Sequence, residues 1–463
     1  MNTLAQLYEA IGGQIRLAAG AARDGADTAL GPVAIDSRGV NPGDVFWALK
    51  GTRHDGTDFA PEAFARGAAG AVVCHPVEAP AGCWAIAVDD PREALWQWAA
   101  WKRRQFTGTL IAVTGSVGKT TTREMIHAVL GTKLAGTASP RNYNNHVGVP
   151  LSLLAVEPDH DYAVMELGAS ARGEIAALAE LCAPKAGVIT HVAEAHLAGF
   201  GSLSAIAESK AELLGALPAG GTAVLGEDVW LRPAADQCPA QVVWVGRGAE
   251  CDLRATDVSS IGGRLSFRVG GCPFRVPVWG RHHLTAALAA VAVGRLLGLD
   301  LAEMAAALER FDPVPMRCQV IEAREATIIN DTYNANPAAM RAALELLREF
   351  DAPGQKIVVL GDMAELGDQA ARRHRELGKQ VVTVAGADLL IACGDHARHV
   401  VAGARAAGMP RTKAIPCLEA ADALPFLGQS LLPGDVVLVK GSRLMAMERI
   451  AEALARFPRR RIA

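Results

Sequence analysis

The segment that most limits what this chain can fold into is an apolar run at 110–113 that passes without a break into TGSVGKTT, residues 114–121. The run predicts a buried strand, the two glycines a tight turn, and the following stretch a helix that continues to Leu130 and stops at Gly131. A strand, a glycine loop and a helix N-terminus in that order surround a polyphosphate with backbone N–H groups. Thr114, Gly115, Ser116, Val117, Gly118, Lys119, Thr120 and Thr121 are therefore candidate nucleotide-binding residues. Lys119 is placed to reach the β and γ phosphates of ATP, and the Thr120 hydroxyl to hold Mg²⁺. Val113 stands where the first glycine of the longer G-x-x-x-x-G-K-[ST] pattern belongs, so the loop is of a short form. A guanine-reading [NT]-K-x-D is not found after it.

A chain of 463 residues is too long for one ordinary core and points to roughly three domains. Net charge is −3, with no basic face to neutralise a nucleic-acid backbone. The Arg-rich end at 459–461 reads as a short solvated tail. Nine cysteines stand singly without a C-x-x-C pair, which argues against a disulfide framework or a zinc cluster and for a reducing, cytoplasmic setting. No signal peptide opens the chain, and no apolar stretch is long enough to span a membrane.

The pattern predicts an α/β fold divided at 1–107, 108–312 and 313–463. The first part mixes short strands, VAI at 33–35 and AVV at 71–73, with turns, and closes on the helix DDPREALWQWAAWKRR. Asp90 is placed as its N-cap, Pro91 at its first position and Glu93 to complete a capping box. Leu95, Trp98 and Trp101 share one face, which reads as core. Further buried strands are expected at 162–167 and 187–190, making a parallel sheet with its ligand crevice at the carboxyl ends of the strands. Between 220 and 280 the helical period fades, and VVWV and LSFRV suggest an antiparallel patch. DPVP at 312–315 reads as a linker. The last part has apolar runs at 357–360, 389–392 and 436–439 and looks Rossmann-like, but it lacks G-x-G-x-x-G and should not bind a nicotinamide cofactor.

Four stretches, TGSVGKTTTREM, NDTYNANPAAM at 330–340, LGDMAELG at 360–367 and VKGSR at 439–443, closely resemble the Mur ligases, the amide-forming enzymes of peptidoglycan precursor synthesis. The resemblance spans nearly the whole chain. It implies a central P-loop ATPase domain flanked by an N-terminal domain for a UDP-muramyl substrate and a C-terminal Rossmann-like domain. Within the family the motifs match the branch that takes UDP-N-acetylmuramoyl-tripeptide and D-alanyl-D-alanine. NDTYNANP stands where a ligase adding a single amino acid would carry a His-containing motif. A sister ligase and a regulatory P-loop protein are the competing readings.

The resemblance also assigns roles. Glu166, ending YAVMEL, would bind Mg²⁺; a strand-end Glu alone is ordinarily solvated. His196 matches a ligand of a second Mg²⁺, where an isolated His is more often structural. Lys210, in IAESKAEL, aligns with a lysine that relatives carry as a carbamate, an oxygen ligand for the metal; without the family it would read as a solvated charge. Asn142, Asn144 and Asn145, in SPRNYNNHVGVP, fall in an Asn-rich loop facing sugar, phosphate or peptide, or else form a turn held by Asx hydrogen bonds. Ser37 and Arg38, with Lys50 as a further candidate, would meet the uridine-diphosphate end, unless DSRGVNPGD is merely a polar hairpin. His282, Arg317 and Asp331 match nucleotide-side positions. Tyr333, Asn334, Asn336, Lys440, Ser442 and Arg443 match positions near the nucleotide or the incoming dipeptide, though such a strand-end loop also suits plain surface charge. His283 and Ala286 stand where asparagines are usual, His191 where Asn, Met316 where Gly and Thr57 where His, so the adenine contacts stay open and the member is a divergent one. The activity implied is acyl-phosphate formation from the tripeptide carboxylate, then amide formation with the dipeptide amine, by a cytoplasmic monomer.

Overall fold

The computed structural model describes residues 2–17, 27–323 and 326–456, so the basic tail at 459–461 lies outside the described residues. The chain divides into two compact units, Met1–Ala112 with Leu134–Leu167 and Ala177–Pro184, and Val113–Lys133 with Gly168–Ala176 and Lys185–Ala463.

In the first unit the strands Gln14–Leu17, Trp84–Ala87, Gly70–Val73, Val45–Trp47 and Val33–Ala34 form a sheet in that order. Its first pair is antiparallel and the rest are parallel. The strand expected at 33–35 ends at Ala34. The helix Pro91–Gln105 covers the sheet with Leu95 and Trp98 buried against Trp47 and Ile86, and Trp101 stacks on Trp98 at 5.1 Å. Asp90 caps it as expected, but by accepting the Arg92 N–H at 2.7 Å. The capping box does not form: the cap takes the second N–H of the helix, and Glu93 accepts instead from Gln97 at 3.4 Å. The helix Gly148–Leu154 packs on the same cluster, with Trp96 Nε1 donating to the His146 carbonyl at 2.7 Å. Strands Gly136–Ala138 and Tyr162–Glu166 pair in parallel.

The second unit begins inside the strand Thr109–Thr114, which leads into the helix Lys119–Leu130. Strands Ala186–Ile189, Thr222–Gly226, Gln241–Gly246 and Leu253–Arg254 follow one another in parallel. VVWV therefore belongs to this parallel sheet and not to the antiparallel patch. A short β-branched run carries no direction of its own, and its neighbour Thr222–Gly226 sets it. LSFRV does lie in an antiparallel sheet, formed by Thr256–Ile261, Arg264–Val269 and Cys272–Val276. Residues 312–315 carry neither helix nor strand.

Beyond them, Gln319–Glu322, Ala326–Asp331, Asp435–Lys440, Lys356–Leu360, Leu389–Cys393 and Ala414–Cys417 form a six-stranded sheet in that order. Only the first pair is antiparallel. The central strands are buried on both faces, which is why they read as unbroken apolar runs. No helix among the described residues is long and apolar enough to cross a membrane.

Candidate active site

The glycine loop takes its shape from two backbone demands. Gly115 has φ 143°, and a Cβ there would lie 2.0 Å from Thr190 Oγ1. Gly118 has φ 83° and caps the helix Lys119–Leu130 in the left-handed region, which glycine enters without steric penalty. Thr190 Oγ1 donates to the Val117 carbonyl at 2.6 Å. Ser116 N–H donates to the His191 carbonyl at 2.8 Å, and Ser116 Oγ accepts from Ala193 N–H at 2.9 Å. The loop is thus pinned to the chain that follows Ala186–Ile189. Lys119 Nζ reaches back to the Gly115 carbonyl at 2.8 Å, and Thr114, Thr120 and Thr121 are buried. The loop therefore sets helix-end N–H groups and a lysine in one short segment, which suits a phosphate chain.

His196 and Lys210 lie in the same unit. His196 has φ 53°, a strained setting for a residue with a Cβ, and its Nδ1 lies against the Glu365 carboxylate. Burial lowers its pKa, Lys119 and Lys210 push the same way, and Glu365 opposes them. A neutral imidazole is the form that ligates metals. Lys210 is 2% exposed, with Nζ donating to the Ala169 carbonyl at 3.4 Å and lying 5.3 Å from the Phe200 ring centre. Burial, aided by Lys119, holds its pKa down to about 7 against the pull of Glu212 and Glu174. The solvated-charge alternative for this lysine is excluded.

Arg317 Nη2 donates to Thr120 Oγ1 at 3.4 Å, and its guanidinium sits 3.9 Å from the Tyr333 ring centre. Asp331 accepts from Lys440 Nζ at 2.5 Å and from Cys318 N–H at 3.2 Å, and Lys440 also donates to the Asn334 carbonyl at 2.9 Å. Asp331 and Lys440 are therefore buried partners of each other. Asn336 Oδ1 caps the helix Pro337–Glu349 by accepting Ala339 N–H at 2.8 Å, and Asn334 Oδ1 accepts Ala335 N–H at 2.9 Å. Ser442 Oγ accepts Ala364 N–H at 2.8 Å. Arg443 pairs with Glu448 at 2.8 Å and stays 55% exposed. The His282 and His283 rings lie 4.1 Å apart, tilted by 44° to one another.

In the first unit Glu166 is buried, its N–H donating to Ser139 Oγ at 3.0 Å and its Oε1 accepting from Asn144 Nδ2 at 2.8 Å. Asn145 Oδ1 accepts from Val147 and Gly148 N–H at 3.0 and 2.9 Å, the Asx turn weighed from the sequence. Asn142 is exposed. Ser37 Oγ donates to Glu62 at 2.8 Å, while Arg38 is 79% exposed and clamped on Asp36 at 2.9 and 2.7 Å. That guanidinium holds the Asp36 carboxyl down to about 2. Lys50 is exposed, and Thr57 Oγ1 accepts Cys74 N–H at 3.0 Å. Sequence reasoning missed Ser139, Thr190 and Glu365. Glu365 lies inside the LGDMAELG motif, the one signal that could have found it.

A glycine phosphate loop on a parallel sheet, joined to a second, mostly parallel sheet, defines a multi-domain α/β nucleotide-binding protein. The chain belongs to the Mur ligase family. Residues 32–103 match the Mur ligase family catalytic domain, 113–294 the Mur ligase middle domain and 316–443 the Mur ligase glutamate ligase domain. It is 36% identical to the UDP-N-acetylmuramoyl-tripeptide–D-alanyl-D-alanine ligase of Escherichia coli K12, over 98% of both chains. Among solved structures it is similar to MurF from Acinetobacter baumannii, with TM-score 0.86, 32% identity, and 98% of this chain and 99% of that one covered. MurF ligase from Thermotoga maritima in complex with ADP gives TM-score 0.78 at 30% identity, with 92% and 97% covered.

Proposed function

We propose that this chain is an ATP-dependent amide ligase that joins D-alanyl-D-alanine to the tripeptide carboxylate of UDP-N-acetylmuramoyl-tripeptide. The observation that carries the reading is the presence, in one compact unit, of the phosphate loop, His196 and the buried amine of Lys210. The near full-length identity to the Escherichia coli ligase points to the same substrates. The three parts 1–107, 108–312 and 313–463 take the UDP end, the ATP and the closing role respectively.

A carboxylate is a poor acyl donor until it carries a better leaving group. The tripeptide carboxylate attacks the γ-phosphorus of ATP, giving an acyl phosphate and ADP. The dipeptide amine then attacks the acyl carbon, the C–O bond to phosphate breaks, and the amine loses a proton as the amide forms. Lys119 neutralises the transferring phosphoryl oxygens, and the loop N–H groups hold the chain of phosphates in line. Two Mg²⁺ ions, when bound, supply further charge neutralisation. The donors of the second unit fit them: the Thr120 hydroxyl, the His196 imidazole, whose pKa burial lowers, and Lys210 as a carbamate. A Lys210 amine with its pKa near 7 is substantially neutral at working pH, the form that adds CO₂. Glu166, whose metal role the family resemblance implies, is a buried carboxylate of the first unit held by the Asn144 amide at 2.8 Å. Arg317 is the nucleotide contact beside Thr120, with Asp331 and His282 as the others; Ser37, Arg38, Tyr333, Asn334, Asn336, Lys440, Ser442 and Arg443 serve the substrates directly or by holding their loops. The enzyme acts as a cytoplasmic monomer in peptidoglycan synthesis, and so in cell shape and division.

Oxygen-18 placed in the tripeptide carboxylate tests the acyl phosphate. One labelled oxygen is expected in the released inorganic phosphate; unlabelled phosphate alongside amide product would rule the intermediate out.

A further inference from the structure

Two histidines that depart from an ordinary polar turn face a cysteine that the proposed reaction does not use. His282 and His283 form the turn Arg281–His283 ahead of the helix Leu284–Leu296, and Cys318 lies just past the 312–315 linker. Ligand atoms from all three fall within 4.8 Å of one another. Cys318 Sγ and His282 Nε2 are 3.6 Å apart. In a tetrahedral zinc site, with bonds of about 2.3 Å to sulfur and about 2.05 Å to nitrogen, that edge is also about 3.6 Å.

The surroundings hold the three in place. Cys318 has φ 49°, and its N–H is fixed by Asp331 Oδ1 at 3.2 Å. Gly280, at φ 98°, leaves room for the His282 ring, since a Cβ there would lie 2.4 Å from His282 Cε1. His283 and Cys318 are buried, while His282 keeps an exposed edge by which a cation can enter. Burial first and Asp331 second push the Cys318 thiol well above its ordinary value, with Lys440 and Arg317 opposing, so the cation itself must displace the thiol proton.

We propose that His282, His283 and Cys318 form a binding site for one thiophilic divalent cation of the zinc class, with the fourth position left to water. On binding, the Cys318 S–H bond breaks, the thiolate sulfur bonds the cation, and the proton goes to solvent. The cation ties the turn before Leu284–Leu296 to the chain leading into Gln319–Glu322. The site shares His282 with the nucleotide contacts of the ligase reading, but metal binding is read in the chain without nucleotide, so its failure and the failure of that reading are distinguishable.

The test is titration of the full-length chain with Co²⁺ as a spectroscopic probe and with Zn²⁺, followed by absorbance, metal analysis and thermal melting. The expected result is one equivalent bound, with a thiolate-to-cobalt charge-transfer band and tetrahedral visible bands. Cys318→Ser removes the charge-transfer band, and His283→Asn weakens binding at least tenfold. Zn²⁺ raises the melting temperature of the native chain but not of Cys318→Ser. Cys74→Ser serves as control, because Asp55, Cys74 and His75 also cluster within 4.8 Å; it should leave the band intact. Absence of the band, its survival in Cys318→Ser, or its loss in Cys74→Ser overturns the assignment. Should Cys318→Ser fail to fold, unchanged affinity in His283→Asn overturns it on its own.

Discussion

Lys210 shows how much a single side chain can carry. In IAESKAEL it looks like one more charge on a helix, yet Ile206, Lys210, Leu213 and Leu214 share one buried face. That spacing was available in the sequence as a lysine on the apolar stripe. Lys210→Ala is expected to lower kcat by roughly 10²–10³-fold, and a short-chain carboxylic acid to restore part of it. Steady-state assays with and without the acid check this; full activity without rescue would remove the metal-bridging role. The same burial makes stability depend on pH. The folded-state pKa of about 7 lies below the ordinary 10.5, so the buried cation weighs fully against folding below pH 7 and is relieved as pH rises from 7 toward 10.5. In CO₂-free buffer Lys210→Met should therefore melt above the native chain at pH 6, and the gap should narrow by pH 9. A gap that does not change with pH would contradict this. The His196–Glu365 contact, by contrast, joins residues far apart in the chain, and no local pattern announces it.

At the scale of elements, legibility followed local backbone rules. The phosphate loop was readable because Gly115 and Gly118 need conformations or space that other residues lack. Gly118→Ala should cost about 1–2 kcal/mol, measured by denaturant unfolding, because its φ of 83° is unfavourable for any residue with a Cβ. Asp90 and Pro91 marked the start of a helix for the same kind of reason, while the box partner Glu93 was misread because the cap chose a different N–H. The direction of VVWV was unreadable, since strand pairing is decided by a neighbour and not by the run itself. Asn336 was read as a substrate residue from its motif, but the structure shows a second duty as a helix cap. Asn336→Ala is expected to destabilise the chain by about 1 kcal/mol, seen as a lower unfolding midpoint. An unchanged midpoint would remove the capping role.

For the whole molecule, the second unit gathers the phosphate loop and the C-terminal sheet through Arg317 to Thr120, His196 to Glu365 and Arg373 to Glu194. A double-mutant cycle on Arg373 and Glu194, side chains only about a quarter exposed, should give a coupling of about 0.5–1 kcal/mol. Strictly additive losses would show that the pair contributes nothing to holding these segments together. The central claim is tested most directly by mass spectrometry of a reaction containing ATP, Mg²⁺, D-alanyl-D-alanine and UDP-N-acetylmuramoyl-tripeptide, run with lysine and with diaminopimelate as the third residue. The expected result with at least one tripeptide is a UDP-muramyl-pentapeptide formed in step with ADP and phosphate. Phosphate release without a new amide product from either tripeptide would contradict the ligase assignment.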